Sequence, residues 1–200
     1  MTADVGVLVI HGIGSQKKGF ADGMIDEVNE RVEKAGYSSS QLAWETVYWA
    51  DITEPEQVDY LRRANSKNDL DWIKLRGFVL SALGDASAYR LIPGNPPDSI
   101  YAQIHKRVAD SLNRLYTSGL NSQPKPLVVL AHSLGCQIMS NYIWDMQHHP
   151  DMTLPPFERM EKLTGLIMFG CNIPLFTFAH NDVKPITFPP SKLPGNLKQF

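Results

Sequence analysis

The chain has 200 residues, with 19 Lys and Arg against 21 Asp and Glu, so its formal net charge is -2. That length suits one domain with a sizeable core. The balanced, interspersed charge carries no basic stripe and excludes a nucleic-acid surface from the expectations. Its two cysteines, Cys136 and Cys171, make no disulfide framework, which points to a reducing, cytoplasmic setting. Met1 to Asp4 has no basic export signature, and no apolar run is long enough to span a bilayer. No internal repeat or low-complexity segment is present.

In chain order, Val5 to Ile10 reads as a buried parallel strand, apolar on both faces. It runs into His11-Gly12-Ile13-Gly14-Ser15-Gln16. A helix with Phe20, Met24, Val28 and Val32 at i, i+4 spacing follows, ending near Gly36. Strand, glycine loop and helix together admit phosphate binding at a helix N-terminus. The pattern Gly-x-Gly-x-x-Lys, however, is neither the dinucleotide fingerprint nor a Walker loop. Leu42 to Trp49, rich in aromatic and β-branched residues, is the next strand.

Residues 51–97 form a helical insertion ahead of the next motif. Thr53-Glu54-Pro55-Glu56 reads as a capping box opening a short helix through Val58 and Leu61. A second apolar stretch runs from Leu70 to Leu91, interrupted by Lys74, Arg76 and Asp85, so it does not span a membrane. It is read as an extra helix packed on the sheet. The alternative is a lid exposing Phe78 and Leu83 to a lipid surface. Residues 92–97 break the chain as a loop. Asp98 is expected to cap a helix carrying Ile100, Ile104, Val108, Leu112 and Leu115 on one face and ending at Gly119.

Leu127-Val128-Val129-Leu130 is a short buried strand, and Cys136 to Met146 has helical spacing at 138, 139, 142, 143 and 146. Between them stands Ser133, with small residues two positions before and after, Ala131 and Gly135. A serine on so sharp a strand-to-helix turn needs small flanking residues, because strand and helix approach closely there. Its hydroxyl is then raised above the sheet at the helix N-terminus, where free N–H groups and the dipole stabilise negative charge. This stretch resembles the nucleophile elbow of the α/β-hydrolase superfamily, in the Ala-His-Ser-Leu-Gly form of some lipases and esterases.

The resemblance spans about residues 5–175. It implies an α/β fold with a mostly parallel central sheet and helices on both faces, and a single domain over residues 1–200. It implies Ser133 as nucleophile, His11-Gly12-Ile13-Gly14 as oxyanion loop, and the backbone N–H groups of Ile13 and Leu134 as oxyanion donors. His11 braces the backbone, and His132 points away from the serine hydroxyl.

A serine nucleophile needs a general base and an orienting acid, and the superfamily places them after the serine, acid first. His148 and His149 lie at the far end of the elbow helix, roughly 20 Å from Ser133 at 1.5 Å per residue. They read as a solvated helix end rather than a metal pair. His105 is upstream and mid-helix. His180 follows the strand Thr164–Phe169 at the correct edge and is the base candidate inside the chain, although Asp182 follows it in the wrong order. The expectation is that the fold here is incomplete, with acid and histidine beyond Phe200.

The function read from these residues is a serine hydrolase of carboxylesterase or lipase type, acting on a small-molecule or lipid ester with no metal or organic cofactor. Contact with a membrane surface is compatible with the lid alternative. A non-catalytic binding domain and an acyltransferase are the alternatives, and the fold alone does not choose among them. Oligomeric state and acyl length are left open.

Overall fold

Four segments of the described residues form a single parallel sheet, and the two central ones, β1 (Val5–Ile10) and β3 (Leu127–His132), are apolar on both faces. The computed structural model describes residues 3–14, 16–68, 84–91, 94, 96–177 and 183–190. The strands are β1 (Val5–Ile10), β2 (Leu42–Val47), β3 (Leu127–His132) and β4 (Leu163–Phe169), in the spatial order β2-β1-β3-β4. All three neighbouring pairs are parallel. Ile10 is level with Val47 on one side and Ala131 on the other, so β1 and β3 end together.

Alternation along β1 divides the core. Leu8 and Ile10, with Val129 and Ala131 of β3, face helices α3 (Ile100–Arg114) and α4 (Leu134–His148) through Ile104, Val108, Leu112, Ile138, Met139 and Tyr142. Val7, Val9 and Leu130 face the other way, against Ala21 and the partly buried Phe20, Met24 and Ile25. Helix α1 (Asp22–Lys34) therefore covers one face, and α3 with α4 covers the other. Each fully buried Leu, Ile or Val contributes about 1.5–3 kcal/mol of transfer free energy. Among the described residues no helix is long and apolar enough to cross a membrane.

Several local expectations are corrected. Helix α2 (Ala50–Asn68) begins before the Thr53 capping box, with Pro55 inside it. Trp49 sets that start: its buried indole is fixed against His11, and its carbonyl accepts the Ile52 N–H at 3.0 Å. Thr53 is left within the helix, its hydroxyl directed at the Ala50 carbonyl. The β2 strand stops at Val47 for the same reason. The cap of α3 is Ser99, whose hydroxyl accepts the Ala102 N–H at 3.2 Å, and not Asp98. The helix widens into a π turn over Leu115–Gly119, reaching its expected end. Strand β4 is not buried throughout. Ile167 is 54% exposed and Phe169 40%, because β4 is a sheet edge whose second face carries no helix among the described residues. Of the 70–91 stretch, residues 84–88 are helical. Residues 69–83, with Phe78 and Leu83, lie outside the described residues.

Candidate functional site

The strand order 2-1-3-4 reverses direction between β1 and β3. Such a switch point opens a crevice at the carboxyl ends of the strands, where the connections leave in opposite directions. The two loops that leave there are 11–14 after β1 and the turn at Ser133 after β3.

Ser133 has φ 52° and ψ -122°. A positive φ is uncommon for a residue with a Cβ, and such strain persists only where the surroundings enforce it. The surroundings here are visible. The Ser133 N–H donates to the Phe169 carbonyl at 3.0 Å, tying the turn to the end of β4. The Ser133 carbonyl accepts the Cys136 N–H at 3.0 Å, starting α4 at once. The buried Cys136 thiol donates to the Ala131 carbonyl at 3.1 Å, across the turn.

The small residues around the turn have steric reasons. A Cβ on Gly135 would lie 2.6 Å from the His11 carbonyl oxygen and 3.1 Å from that of Ile10, so the first turn of α4 lies flat against the end of β1. A Cβ on Gly12 would lie 2.5 Å from the Ser133 Cβ and 3.1 Å from its Oγ. Loop 11–14 and Ser133 are therefore in direct contact. Ala131 is fully buried, level with Ile10 and Met168. Gly14 differs: nothing is near its Cβ position, but φ is +91°, so glycine serves conformation there and not space.

His11 is 3% exposed and uses both ring nitrogens. Nε2 accepts the Trp49 N–H at 3.1 Å, so the proton is on Nδ1, which donates to the Gly12 carbonyl at 2.7 Å. The ring stacks on Trp49 with centroids 4.8 Å apart, and the Trp49 indole N–H donates back to the His11 carbonyl at 3.1 Å. Burial pushes the His11 pKa down to about 4, outweighing the Gly12 hydrogen bond and the nearby Asp85 and Asp51 charges. A neutral ring with both nitrogens engaged braces loop 11–14 and has no lone pair to offer Ser133.

The other histidines are placed as follows. His132 stacks on Phe169 with centroids 5.1 Å apart. His105 lies against Asp145 and accepts or donates at Tyr89 Oη, 2.8 Å away, in a half-buried cluster joining α3 to α4. His148 directs Nδ1 at the Trp144 carbonyl at the end of α4. His149 follows it as the C-cap. His180 lies outside the described residues. No described residue hydrogen-bonds the Ser133 hydroxyl, and among the described residues no group of His, Cys, Asp and Glu could hold a metal.

Two backbone donors stand next in sequence to the Gly12–Ser133 contact, on Ile13 and Leu134. Leu134 opens α4, so its N–H precedes the helical ladder. Among the described residues no hydrogen bond takes the Ile13 N–H. Residue-level reading of the sequence missed Trp49 as the clamp on His11. It also missed Asp85, whose carboxylate accepts the Gly14 N–H at 3.0 Å across 71 residues of chain. No local signal marks either contact. Beside the site, a groove of about 680 Å³ runs between α4 and β4, lined by Gln137, Trp144, Leu166, Met168 and Ile186.

The class these observations define is an α/β protein with a parallel sheet and a strained serine at its topological switch point. Compared with protein-family models, with curated proteins and with solved structures, the chain matches none of them.

Proposed function

We propose that the protein is a serine hydrolase with an α/β-hydrolase fold, acting on carboxylic esters. Ser133 Oγ attacks the ester carbonyl, and the N–H groups of Ile13 and Leu134 receive the negative charge that develops on its oxygen. A donor of that kind is worth about 3 kcal/mol of barrier, and the N-terminus of α4 adds to the same field. The observation that carries this reading is the backbone of Ser133, at φ 52° and ψ -122°, in contact with loop 11–14. A strained, non-glycine residue at a switch point is where function is sought first.

The chemistry needs a base to take the Ser133 proton. His11 is excluded by its own hydrogen bonds, and His105 and His148 are engaged elsewhere. His180 is the candidate inside the chain, with Asp182 following it in the order opposite to the superfamily's. That no described histidine hydrogen-bonds the Ser133 hydroxyl favours a second reading, a hydrolase-like domain that binds without catalysis.

A fluorophosphonate probe decides between them. Labelling of Ser133, abolished in Ser133→Ala together with ester turnover, is the expected result. A folded sample that stays unlabelled, and whose ester turnover is the same in Ser133→Ala, would transfer the case to the binding domain.

A further inference from the structure

Loop 11–14 is fixed at one end and open at the other. His11 is clamped by Trp49, and Gly12 rests on Ser133. Gly14 has φ +91° and open space around its Cβ position, so no side-chain packing holds it. What reaches it is the Asp85 carboxylate, with Oδ2 3.0 Å from the Gly14 nitrogen.

Asp85 is 2% exposed. A carboxyl group that deep needs hydrogen-bond partners, and the Gly14 N–H is one that Asp85 has. The carboxylate is also rigidly mounted. Its own carbonyl accepts the Tyr89 N–H at 2.9 Å, and Tyr89 is 2% exposed. The Tyr89 ring stacks on Tyr101 with centroids 5.1 Å apart, and its hydroxyl meets His105 Nε2 at 2.8 Å. Asp145 of α4 accepts the Tyr101 hydroxyl at 2.8 Å. An unbroken set of contacts thus runs from the body of α3 and α4, through residues 85–89, to the last residue of the loop.

We propose that Asp85 is a positioning residue for the oxyanion loop: by accepting the Gly14 N–H it fixes the turn that leaves the Ile13 N–H unclaimed beside Ser133. This rests on the serine-hydrolase reading above. Asp85 touches no substrate, and its effect is on the geometry of a donor. The requirement is for an acceptor at that point and not for charge. A carboxylate close to a developing oxyanion is electrostatically unfavourable, so an amide oxygen in its place does the same work.

The test compares Asp85→Ala with Asp85→Asn in the full chain, by fluorophosphonate inactivation and by hydrogen exchange at backbone amides. In wild type the Gly14 amide is expected to exchange slowly and the Ile13 amide fast. Asp85→Ala is expected to lower the maximal inactivation rate tenfold or more with the probe's half-saturation within twofold, and to release the Gly14 amide. Asp85→Asn is expected to keep the rate within threefold and the Gly14 amide protected.

A folded Asp85→Ala protein with the wild-type rate and a protected Gly14 overturns the proposal. So does an Asp85→Asn protein as slow as Asp85→Ala. If Asp85→Ala does not fold, Asp85→Asn decides by the same two criteria. If wild type itself is not labelled at Ser133, the serine-hydrolase reading has failed. Gly14 exchange in the variants then decides separately whether Asp85 holds the loop.

Discussion

Acidification should loosen this protein in a window that belongs to His11. The ring is 3% exposed, and burial holds its pKa near about 4, whereas an unfolded histidine titrates near 6.5. Above that value both states are neutral and the group contributes nothing to the pH dependence. Between the two values the unfolded chain takes up a proton that the folded chain refuses, so stability falls as pH falls. The slope is about 1.4 kcal/mol per pH unit, and the accumulated loss by about pH 4 is about 3 kcal/mol. Against a total stability of roughly 5–15 kcal/mol, that is a large share. Asp145 and Asp151 act in a lower window, since both are held below the ordinary carboxylate value of 3.8. For Asp145, burial alone would raise the value, but hydrogen bonds from His105 and Tyr101 more than compensate. Urea unfolding at several pH values between about 7 and 4.5, with ring nitrogen NMR of His11 in the folded protein, checks this. The NMR should find a ring still mostly neutral at about pH 4.5, with its proton on Nδ1. A His11 that titrates near 6.5 in the folded state, or carries its proton on Nε2, would refute the argument.

The site makes other outcomes specific. Gly135→Ala puts a Cβ 2.6 Å from the His11 carbonyl oxygen, a backbone atom that cannot swing aside. A loss of about 1–3 kcal/mol is expected from overpacking of this kind, read as a lower Tm. Of the two thiols, Cys171 is exposed, while Cys136 is buried and pushed up to about 12, by burial first and by the neighbouring Cys171 thiol second. A disulfide reagent near pH 8 should therefore modify one thiol per folded chain, with Cys136 reacting only after denaturation.

The apolar runs wrote the sheet into the sequence. Val5–Ile10 and Leu127–Leu130 are apolar on successive residues, which only a strand covered on both faces tolerates. The turn at Ser133 was legible for a similar reason: Ala131 and Gly135 are the small residues that a close strand-to-helix approach demands. Less legible were the element ends. Thr53 and Asp98 carry good local capping signals, yet the helices start where Trp49 and Ser99 place them. Local chemistry lost to a buried indole in one case and to a better-placed hydroxyl in the other.

Sequence alone determined that a strand would deliver a serine onto a helix N-terminus and that a glycine loop would follow the first strand. Both are local facts, set by side-chain size and by alternation over a few residues. Only the tertiary structure decided that these two turns meet. The strand order β2-β1-β3-β4 brings together residues about 120 apart in the chain, so that Gly12 rests on Ser133. It also decided that His11 is a neutral brace and that Asp85 reaches Gly14. Contacts across such separations depend on how whole elements pack, and no short stretch of sequence carries that information.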